Sequence, residues 1–241
     1  MKLRFFGDSW FWFWNPNQYE SSVFRKHCVD GKKHIPIIEW YLTILGIECV
    51  SNAAPGANLR QTTDLIISSS NHKDISYNIV LFSSPYRRDE ILELDVTNYE
   101  TFMRQWDAEI INQLKIIQEW AIKTNQKVIL VGAHSTLYKT LFDSLPDRTN
   151  LYFFCECAIS NLIGNAEPFG QFKVSDFANL VNYKFDKRLV DHIYNDIDKF
   201  CTEPTIKALT YPDGVHLNPT SMLFLLDKIL AKIENLEGEN I

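Results

Sequence analysis

The residues best suited to chemistry in this chain sit near its two ends. Gly7-Asp8-Ser9 directly follows an apolar run, and Asp213-x-x-His216 lies far downstream. A serine hydroxyl is a weak nucleophile at neutral pH. It needs a base within hydrogen-bond reach, and that base needs an orienting group on its other ring nitrogen. Tyr211-Pro212-Asp213-Gly214-Val215-His216-Leu217-Asn218 supplies both in one short loop. At that turn-like spacing the Asp213 carboxylate is expected to accept from one imidazole nitrogen while the other faces Ser9.

For these groups to meet, an α/β framework has to bring them to one sheet edge. Apolar runs of strand length alternate with longer stretches of helical period, the pattern of βα units feeding a mostly parallel sheet of about five strands. Strands are expected at Lys2 to Phe6, Ile47 to Ser51, Tyr77 to Ser83, Lys127 to Val131 and Leu151 to Phe154. A helix near Pro36 to Leu45 has proline at its start and Gly46 at its stop, and another is expected around Leu59 to Ser69. Phe102, Trp106, Ile110, Leu114, Ile117 and Ala121 recur every three or four positions and mark one face of a long helix from Tyr99 to Thr124. Further helices are expected at Asp186 to Phe200 and, introduced by Asn218 and Pro219, at Ser221 to Ile233. Glu237 to Ile241 reads as a frayed tail, and residues 158–184 follow no clear period. Ser9 then emerges at the carboxyl edge of the sheet, where open α/β folds bind ligands.

Gly-Asp-Ser near the amino end and Asp-x-x-His near the carboxyl end, in that order, resemble the SGNH (GDSL-like) hydrolase family over the whole chain. The resemblance implies a flavodoxin-like three-layer α/β/α sandwich and a serine esterase or acyl hydrolase working through an acyl-enzyme, with Ser9, Asp213 and His216 as catalytic triad and no cofactor. It implies an oxyanion hole from the Ser9 and Gly56 amides, Gly56 lying in Ser51-Asn52-Ala53-Ala54-Pro55-Gly56-Ala57-Asn58. The family's third motif is Gly-x-Asn-Asp after strand three. This chain instead reads Phe82-Ser83-Ser84-Pro85-Tyr86-Arg87, so a Ser84 hydroxyl takes the asparagine's place by position and Arg87 adds positive charge toward substrate. Asn58 and Trp10 complete the candidate substrate contacts. The substrate class is a small-molecule or glycan ester, either an O-acetylated carbohydrate or a longer acyl ester. The absent asparagine also leaves open a fold kept as a binding module for a glycan or a protein, with little turnover.

Blander readings stand beside these. Gly-Asp-Ser and Asp213-Gly214 are each ordinary turn chemistry, and Pro55-Gly56 suits a type II turn. Trp10-Phe11-Trp12-Phe13-Trp14 serves core packing as readily as a pocket wall. His134, just past strand four, is a rival base without an acid near it in sequence. Cys155-x-Cys157 and the His27, Cys28, His34 group complete no tetrahedral ligand set, so no metal is expected.

The 241 residues, 46% hydrophobic, suffice for one core, and no repeat or linker composition divides them, so one domain over 1–241 is expected. A net charge of −6 without a long basic run argues against nucleic acid as a partner. Gly7-Asp8-Ser9 interrupts the opening apolar stretch, so neither a cleavable signal nor a membrane span is expected. Five cysteines at irregular spacing fit reduced thiols in a cytoplasmic setting better than a disulfide framework.

Overall fold

The computed structural model describes residues 1–8, 37–54, 56–69, 73–83, 98–133, 137, 139–156, 158, 217 and 219–238. Strands β1 (Lys2–Phe6), β2 (Glu48–Ser51), β3 (Tyr77–Phe82), β4 (Val128–Gly132) and β5 (Leu151–Cys155) form one parallel sheet in the order β2-β1-β3-β4-β5. This is the flavodoxin-like order, in which the connections reverse direction beside β1 and open a crevice at the strands' carboxyl ends.

Helices cover both faces. Successive residues of a strand face opposite sides. On one side Leu3 and Phe5 of β1, with Ile79 and Leu81 of β3, are buried in a core built with α1 (Ile37–Ile44) and α5 (Pro219–Gly238). On the other, Phe6, Val80, Phe82 and Leu130 are buried with α2 (Leu59–Ser68), α3 (Tyr99–Thr124) and the short α4 (Lys139–Asp143). Every residue of β3 and β4 is buried, as their continuous apolar runs predict for strands covered twice. The helical stripe of α3 supplies the largest single block of the second core. Phe102 stacks on Trp106 at 5.6 Å, and burying each such ring contributes about 1.5–3 kcal/mol. Arg60 holds α2 to α3 through Glu109, with contacts of 2.6 and 3.0 Å.

Several boundaries differ from the sequence expectation, each for a nonlocal reason. α5 runs on to Gly238, so Glu237 and Gly238 belong to the helix rather than a tail, because Leu236 is buried against the first core. α4 was not expected, since five residues are too few to show a period. Ile47 precedes β2 because its N–H turns back to the Leu42 carbonyl at the end of α1. The helix expected at 186–200 lies outside the described residues.

Arg4 is the least expected core residue, at 1% exposure within β1. Its Nε donates to Asn78 Oδ1 at 2.7 Å, and its guanidinium lies 5.1 Å from the Phe6 ring centre and 5.8 Å from that of Trp120. Burial lowers its pKa from the usual arginine value, while the Asp74 charge opposes that shift. Asn78 in turn donates to Gln126 Oε1 and to the Lys127 carbonyl. This polar knot lies toward the amino ends of β1 and β3, away from the carboxyl edge of the sheet.

Candidate active site

Three connections meet at the carboxyl edge of the sheet beside β1. Gly7, the first residue past β1, has φ +145, and a Cβ there would come within 2.6 Å of the Leu81 Cβ on β3. Only glycine meets both demands, so the chain turns tightly over β3 before Asp8, which is itself buried at 1% exposure. The segment after β2 is fastened to this turn. Asn52 N–H donates to the Phe5 carbonyl at 2.8 Å and Ala54 N–H to the Gly7 carbonyl at 2.9 Å.

That segment closes immediately. Ala57 N–H donates to the Ala54 carbonyl at 3.0 Å, and the third residue of the resulting turn, Gly56, has φ +75. Glycine at that position with positive φ is the mark of a type II turn. A Cβ on Gly56 would meet nothing within 4 Å, so its glycine serves backbone conformation rather than close packing. Ser83, just past β3, reaches into the same corner, its Oγ donating to the Ala57 carbonyl at 3.2 Å.

Asn58 is buried and caps α2. Its Oδ1 accepts from Gln61 N–H at 2.8 Å, while Gln61 Oε1 accepts from Asn58 N–H at 3.0 Å. This reciprocal capping box starts α2 two residues after the Gly56 turn's third position. An open groove of about 380 Å³ runs from the turn along α2, lined by Ala54, Ala57, Gln61, Asp64, Leu65 and Ser68.

Of the residues singled out from sequence, Gly56 and Asn58 are therefore brought to the corner beside Gly7 and Asp8. Ser9, Trp10, Ser84, Arg87, His134, Asp213 and His216 lie outside the described residues. Leu217, which follows His216, is buried in the same core cluster as Phe5, Leu81 and Ala133. Among the described cysteines, Cys49 is no rival nucleophile, because burial pushes its thiol up to about 11, with the Glu39 charge adding to the effect. Among the described residues no group of three or more His, Cys, Asp and Glu side chains is placed to hold a metal ion, and no helix is long and apolar enough to cross a membrane.

The sequence reading missed Ser83 and treated Asn58 only as a substrate contact. The capping role of Asn58 was legible, because Asn-x-x-Gln opening a helical period is a capping signature. The Ser83 contact had no local signal, since its partner lies 26 positions away.

No family model matches the chain, and no curated protein does. Similar solved structures include a lipase/acylhydrolase from Enterococcus faecalis, at 13% identity over 97% of this chain and 95% of that one, with a TM-score of 0.44. A catalytic mutant of an acetylxylan esterase from Geobacillus stearothermophilus is similar at 12% identity over 96% and 93%, with a TM-score of 0.49. A further acetyl xylan esterase is similar at 14% identity over 97% and 100%, with a TM-score of 0.46. The chain is thus similar, over nearly its whole length and at low identity, to lipases and acetylxylan esterases, and its chemistry rests on its own residues.

Proposed function

We propose that the chain is an SGNH-type serine hydrolase that cleaves carboxylic esters through an acyl-enzyme. The observation that carries this reading is the fastening of the Ala54–Ala57 turn onto the Gly7 carbonyl, two residues before Ser9 at the switch point of the sheet. In this reading the Ser9 oxygen attacks the ester carbonyl as His216 removes its proton. The tetrahedral oxyanion is held by the Ser9 and Gly56 amides, with Ser84 as a third donor. The intermediate expels the alcohol, which takes the proton from His216. Water, deprotonated by the same imidazole, then attacks the acyl-serine and releases the acid and Ser9. Asp213 orients His216 and stabilises its cationic form. The amino end of α2 adds a favourable dipole for negative charge near Gly56.

The substrate in this reading is an ester of a carbohydrate or a longer acyl ester, with Arg87 and Trp10 as contacts outside the reacting centre and Asn58 holding the turn through its cap. The test is labelling by an alkyl fluorophosphonate. Wild-type protein is expected to be labelled and Ser9→Ala to be silent, and equal labelling of both removes Ser9 from the mechanism. The second reading, a binding module with little turnover, is motivated by Ser83-Ser84 standing where the family has asparagine. Esterase activity above a Ser9→Ala control excludes it.

A further inference from the structure

The turn that carries Gly56 is anchored to the sheet at both ends, and the two anchors differ in kind. At its entrance Ala54 N–H donates to the Gly7 carbonyl at 2.9 Å, a main-chain bond just past β1. At its exit the Ala57 carbonyl accepts from a side chain, the Ser83 hydroxyl just past β3, at 3.2 Å. β1 and β3 pair directly, Phe6 beside Val80, so the turn spans the carboxyl ends of two adjacent strands. Ser83 is a firm anchor. It is 5% exposed, and the residue before it is fixed, since Phe82 pairs with Gly132 and its carbonyl accepts from Ala133 N–H at 3.0 Å.

The Ala57 carbonyl precedes the helical ladder of α2, which begins one residue later, where the Asn58 carbonyl accepts from Thr62 N–H at 2.9 Å. The capping box joins Asn58 to Gln61. Those bonds are internal to the start of α2, whereas the Ser83 bond joins the end of the turn to the sheet.

The orientation of the turn matters because of where the Gly56 amide lies. It belongs to the turn's central peptide, the one that reverses between type I and type II turns. The φ of +75 at Gly56 selects the type II form, so its N–H points to one side of the turn. The two ends set where that side faces relative to β1 and β3. A donor serves an oxyanion only from about 2.7–3.1 Å, so a modest tilt of the turn is enough to lose it.

We propose that Ser83 is a positioning residue for the oxyanion. By holding the Ala57 carbonyl, its hydroxyl keeps the turn oriented so that Gly56 N–H meets the negative charge that develops beside Ser9. Ser83 thus acts through Ala57 and Gly56 rather than on the substrate. The inference rests on the ester-hydrolase reading and adds to it a residue outside the triad and the oxyanion donors.

The experiment compares wild type with Ser83→Ala, Ser83→Cys and Ser83→Thr, each assayed well below its melting midpoint. Cysteine keeps the side-chain shape but is a weak donor, so it separates the hydrogen bond from packing, while threonine keeps the hydroxyl. Removing an oxyanion donor outright costs about 10²–10³ in kcat, so misaligning one in Ser83→Ala and Ser83→Cys is expected to cost on the order of tenfold, with KM for nitrophenyl acetate within about twofold of wild type. Affinity for phenylboronic acid, whose tetrahedral adduct on Ser9 places an oxygen in the oxyanion site, is expected to fall by the same factor as kcat. Ser83→Thr is expected to recover most of both losses. Adding Ser83→Ala to Gly56→Ala is expected to cost much less than it does alone, because both act on one amide. Wild-type turnover in Ser83→Cys, a loss carried by KM, unchanged boronate affinity, or full additivity with Gly56→Ala overturns the proposal. Amide exchange at Ala54 and Ala57 is read in parallel, and exchange equally slow in wild type, Ser83→Ala and Ser83→Cys refutes the anchoring itself, whatever the activity. Absence of any Ser9-dependent turnover in wild type refutes the hydrolase reading, and the role of Ser83 falls with it.

Discussion

Gly7→Ala sets two constraints against each other in a way that can be measured. The residue has φ +145, a conformation that costs an L side chain about 1–3 kcal/mol. The new Cβ also arrives 2.6 Å from the Leu81 Cβ, where carbons ordinarily rest about 3.5–4.0 Å apart. Leu81 cannot yield, because it is fully buried and its strand is paired on both sides, to β1 and to β4. Separating the two by about 1 Å is an overpacking event worth about 1–3 kcal/mol more. The sum, about 2–6 kcal/mol, lowers Tm by about 4–24 °C in a chain of this size, at about 2–4 °C for each kcal/mol. Gly56→Ala is the control. It meets positive φ at +75 but open space, so it should cost about 1–2 kcal/mol, and Tm should fall by only a few degrees. Thermal melts of both variants beside wild type decide the matter. A Gly7→Ala protein melting within about 2 °C of wild type, or above Gly56→Ala, refutes the argument that β3 crowds the turn before Ser9.

Asn58→Ala removes the cap that starts α2 and should cost about 1 kcal/mol in denaturant midpoint analysis, with Asn58→Asp recovering most of it. Asp107 makes a pH prediction. Burial raises its carboxyl above the ordinary aspartate value, and its Oδ1 accepts no hydrogen bond among the described residues. The folded state therefore holds the proton more tightly than the unfolded one, so stability falls as pH rises from near 3.8 through the raised folded value. Asp107→Asn should accordingly melt higher than wild type at pH 7, with the advantage shrinking below pH 4. An advantage that is constant across pH contradicts the assignment.

How much of this was legible in the residues depended on whether the determining contacts were local. The unbroken Ile79-Val80-Leu81-Phe82 run and the spacing of Phe102, Trp106 and Ile110 state their own burial, and the strand and helix follow. Gly56 was legible as a turn glycine because Pro-Gly carries its own geometry. Arg4 was not, since a cation in a strand reads as an outward residue. Its burial depends on Asn78 and Trp120, neither of which is near it in sequence. Gly132 lies one residue beyond the strand expected at Lys127 to Val131, and nothing local marks it: the Glu156 carbonyl that leaves no room for a side chain there comes from past the bulge in β5. Glu156 was silent for the same reason, because the Lys139 N–H from which its carboxylate accepts is 17 positions back.

The placement of β1 bears on how the molecule is made. Its first neighbour, β2, begins at Glu48, its second, β3, at Tyr77, and one of its faces is covered by α5, which starts at Pro219. A strand synthesised early therefore finds its partners late, and closing such long loops is slow in folding. Until α5 emerges, Leu3 and Phe5 lack part of their cover, an interval in which a growing chain is open to misassembly. The serine proposed as nucleophile thus gains its surroundings only when nearly all of the sequence is present.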